Sequence, residues 1–121
     1  MRIVGGLLGQ WAVWTHRAVQ MLQQVTEERD SYKLSREMLP LAVELTDANS
    51  AIFDAANGFA GCVPGIHEVL RRQGLLRGIW CLDPNEALSP GQSDEIDRVV
   101  EHYPHLIDDE FVGERLDRWL G

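Results

Sequence analysis

Positive charge is in short supply: Lys+Arg 11 against Asp+Glu 19 leave a formal net charge of -8. Such a surface repels phosphate backbones and anionic lipid headgroups, which argues against nucleic acid and membrane surfaces as partners. Only one basic residue is a lysine, Lys33. Cysteine is nearly missing as well. Cys62 and Cys81 are too far apart for a Cys-x-x-Cys motif and too few for a disulfide framework. Reduced thiols and a cytoplasmic home are the expectation. No long apolar run exists. The uncharged stretch 3–15 is interrupted by Gln10 and is shorter than the ~20 residues a bilayer demands. No small-x-small cleavage site follows it, so a signal peptide is not expected either. Internal repeats and low-complexity tracts are absent.

What is present suits one folded domain. The chain has 121 residues, 45% hydrophobic and 25% charged, enough to bury roughly two-thirds of its unfolded surface. "RIV" at 2–4 is a β-prone stub closed by Gly5-Gly6, too short to form a sheet without neighbours. After Gly9 the period becomes helical: Trp11, Trp14, Ala18, Met21, Leu22 and Val25 form one apolar stripe that fades at 26–30. Ser31 can cap a second helix carrying Leu34, Met38, Leu41, Ala42 and Leu45, with a kink expected at Pro40. Asn57-Gly58 breaks the following run. Pro64 can start a third helix, with Ile66, Val69 and Leu70 inward and Gly74-Leu75 as its Schellman end. Ser89, Pro90 and Gln92 read as a capping box for a fourth helix that buries Ile96, Val99 and Val100 and stops at Pro104. A last helix over about 109–120 shows Val112, Leu116, Trp119 and Leu120 on one face. The sum is five helices and one strand stub, and a lone strand must find its partner outside the chain.

Five groups of residues are candidates for chemistry. Cys62 and His67, five residues apart at a Pro-Gly step, could be a nucleophile and its base; no orienting Asn or Asp accompanies them, and a free cysteine is ordinarily a small buried hydrophobe. Cys81, His102 and His105 could bind zinc, but Pro104 separates the histidines, so no metal and no other cofactor is expected. Gly5 and Gly6, with Gly9, sit at a strand-to-helix junction that can hold an anion on backbone N–H groups, although neither G-x-G-x-x-G nor a Walker lysine is there. Asp94, Glu95, Asp97, Asp108, Asp109 and Glu110 read as solvated helix starts, and Trp11, Trp14, Trp80 and Trp119 as core or interface anchors.

The order of these signals is familiar. "EMLPLAVEL" (37–45), Asn49, "VPGIHEVLRRQGLL" (63–76) and "CLDPNEALSPGQSDEIDRVV" (81–100) resemble the carboxyl-terminal helical region of the dihydrodipicolinate synthase / N-acetylneuraminate lyase family. "RIVGGLLG" looks like the last barrel strand and its loop, and "FAGCVPGIHEVLRRQGLLRGIWCLDP" like a divergent branch. The resemblance implies a TIM-barrel parent that joins a lysine to a 2-oxo acid as a Schiff base and makes or breaks a carbon–carbon bond. It also implies a homo-oligomer. A whole barrel takes about 250 residues. The family's Gly-Thr-Thr-Gly-Glu loop and Tyr-Asn-x-Pro segment are absent, and Lys33 lies among charged neighbours at a helix start, where an ammonium stays solvated. No catalytic residue carries over.

The expectation is therefore a mainly α chain, the helical carboxyl-terminal region of a (β/α)8 protein with at most one strand remnant. Residues 1–30 would hold the strand remnant and following helix, and residues 31–121 the helical tail. Such a chain would be inactive by itself and would meet the rest of the barrel, or another subunit, through the Trp11/Trp14 face. The alternative is a free-standing acidic helical module that binds a protein through the same stripe.

Overall fold

Leu41, Leu45, Ala48 and Ile52 recur at helical spacing and give helix α2 (Met38–Ile52) an apolar edge that runs the length of the fold. The computed structural model describes Val4 and residues 9–33 and 35–121. A 3₁₀ turn (Gly9–Ala12) leads into α1 (Thr15–Ser31), and α2 is followed by α3 (Cys62–Arg72) and α4 (Gln92–His102). Two short helices, α5 (Asp109–Gly113) and α6 (Leu116–Leu120), close the chain. Among the described residues there is no strand; Val4 has no regular structure, and the rest of the expected stub lies outside them. The mainly α class is thus observed.

The core is an α2–α3–α4 packing. Ala48 and Ile52 meet Val69 from α3 and Ile96 and Val99 from α4, with Leu106 beneath and Val13 and Trp14 closing one end. Helix α1 contributes no buried side chain. Ionic bonds flank the apolar contacts. Asp47 on α2 receives both guanidinium nitrogens of Arg98 on α4, at 2.8 and 2.9 Å, and the Tyr103 hydroxyl at 2.8 Å. Glu68, buried on α3, receives Arg71 and Arg72, and Arg72 reaches on to Asp97 and Ser93 of α4. A buried carboxylate held by two arginines costs several kcal/mol if one partner is lost, so these contacts fix the register of α3 on α4 more than they add net stability.

Local signals held where they were truly local. Helix α3 ends in the expected Schellman motif: Leu75 N–H donates to Leu70 O (2.9 Å), Gly74 N–H to Arg71 O (3.0 Å), and Gly74 has φ +80°. Four expectations fail. Ser31 ends α1 instead of starting α2; the turn before α2 is held by Ser35, whose Oγ accepts from Glu37 N–H at 3.1 Å. Pro40 stands in the first turn of α2, where its missing donor has no intrahelical acceptor and no kink is required. Gly91, not Ser89, is the α4 N-cap. Only half of the capping box forms: Gln92 Oε1 accepts from Ser89 N–H at 3.1 Å, while the Ser89 hydroxyl donates to Asp54 Oδ2. The final helix is broken into α5 and α6 at Glu114 and Arg115.

Candidate functional site

The cysteine–histidine pair does not assemble as a nucleophile and base. Cys62 opens α3 and His67 follows in its second turn, but the thiol that approaches the His67 ring is that of Cys81, with Sγ 3.9 Å from Nδ1. Burial pushes the Cys62 thiol up, and Glu86 pushes it further. Burial does the same to Cys81, with Glu86 and Asp83 adding. Both groups are therefore held as thiols at neutral pH, the opposite of what a catalytic cysteine requires.

The histidines are equally dispersed. His102 Nδ1 lies 2.8 Å from the Arg98 carbonyl, and His105 Nε2 lies 2.8 Å from Glu44. Neither turns toward Cys81. Among the described residues no three His, Cys, Asp or Glu side chains come together as a metal site. Lys33 is exposed in the turn after α1.

Gly5 and Gly6 lie outside the described residues. The helix N-terminus that follows them already has a carboxylate: His16 N–H donates to Asp108 Oδ2 at 2.9 Å. Asp108 is buried and also receives Gln73 Nε2 at 2.9 Å. It was expected among the solvated acids; instead it caps α1 from 92 residues away, taking the place an anion would occupy. Arg17 Nε donates to Ile107 O at 3.0 Å, and the His16 ring stacks on Phe111 at 3.8 Å.

A second buried polar knot was not foreseen. Asp54 accepts from Gly61 N–H (2.9 Å), Asn57 Nδ2 (2.7 Å) and the Ser89 hydroxyl. Burial pushes its carboxyl up, but the combined bonds from Asn57, Ser89 and Gly61 prevail and hold it below the ordinary carboxylate range. Beside it Gln92 Nε2 donates to Gly61 O (2.9 Å) and Ile52 O (3.1 Å). Gly61 and Gly65 are glycines because a Cβ at the first would strike the Gln92 carboxamide, and at the second the Ile52 carbonyl. This knot ties α2 to α3 and α4, and its Asp54, Asn57 and Gln92 line one side of an open cleft of about 350 Å³ that also holds Asp94 and Arg98.

Two further openings differ in character: a polar cleft of about 460 Å³ at the start of α1, lined by His16, Arg17, Asp109, Glu110 and Glu114, and an apolar groove. The groove, also of about 460 Å³, runs between α1 and α2, lined by Trp11, Ala18, Met21, Leu22, Val25, Met38, Leu41 and Leu45. Trp14 does not belong to it. Its backbone is left-handed (φ 52°), and this bend turns the indole into the core, where it is buried. The expected Trp11/Trp14 face is corrected to Trp11 with the middle of α1 and the first turns of α2. Trp80 and Trp119 are exposed elsewhere. No described helix is long and apolar enough to cross a membrane.

Comparison of the chain with known protein families, with curated proteins and with solved structures returns no match.

Proposed function

We propose that the chain is the carboxyl-terminal structural part of a cytoplasmic, homo-oligomeric dihydrodipicolinate-synthase-like lyase or aldolase acting on 2-oxo acids. By itself it is a docking scaffold, not a catalyst. One observation carries the reading: α1 buries no side chain, and its apolar stripe faces an open groove against α2. A helix that follows a barrel strand lays such a stripe on the sheet. The order of motifs from Glu37 to Val100 supports the same parent. The exposed position of Lys33 and the raised thiols of Cys62 and Cys81 supply no activated nucleophile.

Two experiments test this. Incubation with pyruvate and borohydride, followed by mass spectrometry, is expected to leave Lys33 unmodified; a trapped adduct would overturn the scaffold reading. Sequencing the DNA upstream of the Met1 codon is expected to find an in-frame barrel, and its absence would remove the family from the proposal.

The second reading, a free-standing acidic interaction module, is favoured by the burial of Trp14 within the chain's own core. Calorimetry separates the two. A self-sufficient module melts in one cooperative step at a temperature independent of its concentration, whereas an orphaned scaffold, covering its bare face with other copies, melts at a temperature that rises with concentration.

A further inference from the structure

We propose that, in the chain as it stands, the α1/α2 face is covered by a second copy of itself, with α1 antiparallel to its counterpart and Leu22 on the two-fold axis. The inference rests on the docking reading of this face and names its occupant.

Charge distribution points to the occupant. Residues 18–26 of α1 and 38–43 of α2 contain no charged side chain. Residues 15–52 hold 4 basic and 6 acidic residues, net -2, while residues 53–121 hold 6 basic and 13 acidic residues, net -7; Arg2 completes the total of -8. Two copies meeting through the carboxyl-terminal half would press like charges together. Through 18–26 and 38–43 they meet where coulombic opposition is least. A basic partner would be drawn to the acidic half and away from this face.

The pattern of exposure is also self-complementary. Val19, Leu22 and Val25 are 60%, 48% and 47% exposed and are spaced symmetrically about Leu22. An antiparallel pairing sets Leu22 on Leu22 and Val19 on Val25 of the other copy, as a two-fold interface requires. Leu39 and Val43, 72% and 68% exposed, stand on α2, the helix that forms the other wall of the groove; specific dimers bury ~800 Å² per partner. Monomers rarely leave a large apolar groove open to water.

Sedimentation equilibrium of the whole chain from about 1 to 100 µM tests the proposal. The expected result is a closed dimer that Leu22→Glu converts to monomer without loss of helical circular dichroism. Leu22 is half in water, so the variant should fold. Because the contact residues carry no charge but each copy is net -8, salt between about 50 and 500 mM should tighten the dimer by screening that repulsion and should not weaken it. A wild-type monomer at 100 µM, a dimer that survives Leu22→Glu, a dimer that salt weakens or a ladder of larger species each overturns the proposal. An apolar dye distinguishes the two levels of failure. If the chain is monomeric and Leu22→Glu reduces dye binding, the face still awaits a different protein. If it does not, the docking reading fails as well.

Discussion

Replacing Gln92 should unfasten the junction of three helices. The carboxamide makes three bonds there: to Ser89 N–H, to Gly61 O and to Ile52 O. Their loss is unequal. Gly61 O keeps a second donor, Gly65 N–H at 2.8 Å. Ser89 is half-buried and can be rehydrated. Ile52 is fully buried, so its carbonyl bears the whole desolvation penalty. At about 1–3 kcal/mol per orphaned group, weighted toward Ile52, Gln92→Ala should cost about 3 kcal/mol. For a domain of this size that is a fall in melting temperature of roughly 10 °C, and a large share of the 5–15 kcal/mol typical of whole domains. Gln92→Met separates hydrogen bonding from packing, since it keeps the volume and loses every bond; most of the loss should remain. Gln92→Glu should be worse at neutral pH, with a carboxylate facing two carbonyls. It should recover on acidification, when the protonated group can donate again. The assay is urea denaturation followed by circular dichroism. A Gln92→Met protein within about 0.5 kcal/mol of wild type would refute the reasoning, because the knot would then be bystander geometry.

Other outcomes follow from single residues. Tyr32 ends α1 with φ 55° and is 97% exposed, so Tyr32→Gly should raise stability by about 1 kcal/mol, read as a higher urea midpoint. Gly65→Ala would drive its methyl into the backbone oxygen of Ile52, and a loss of about 2–3 kcal/mol is expected in the same assay. Arg71, and then Arg72, hold the Glu68 carboxyl below its usual range against the opposing push of burial. Its contribution is therefore complete above the ordinary carboxylate pKa and disappears as pH falls through the lower folded value. Urea midpoints from about pH 6 to about pH 2 should fall, and the fall should be shallower in Glu68→Gln. Iodoacetamide near neutral pH should label Cys62 and Cys81 sluggishly, because burial and nearby acids keep both protonated; rapid labelling of Cys62 would revive it as a nucleophile.

How much of this was legible depended on distance along the chain. The α3 terminus was readable because every group of the Schellman motif lies within Leu70 to Leu75. The inward stripes of α3 and α4 were readable because periodicity is local too; on α2 the marked Met38, Leu41, Ala42 and Leu45 line the open groove, and the buried Ala48 and Ala51 were not marked. Ser89 and Gln92 were marked correctly as a pair, yet the Ser89 hydroxyl was drawn off by Asp54, 35 residues earlier, and no local rule could weigh that competitor. Trp14 was assigned to the α1 stripe because its spacing fits. The left-handed backbone that removes it is a property of the bend at that residue, invisible to periodicity. Among the candidate groups, Cys81 comes to His67 while His102 and His105 take partners at Arg98 and Glu44, pairings that no spacing along the chain announced. Asp108 as a cap on α1 was unreadable, since nothing in either segment names the other. Glu68 with Arg71 and Arg72 at i+3 and i+4 was a signal present in the sequence and passed over.

The cap on α1 has a consequence for synthesis. A ribosome releases the segment that becomes α1 early, but the carboxylate that completes its first turn arrives 92 residues later. At about 5–20 residues per second that interval is roughly 5–20 s. During it the amino-terminal segment has an unfinished start and a stripe of Met, Leu and Val in search of cover. Nascent chains paused before Asp108 should therefore be the ones that chaperones hold.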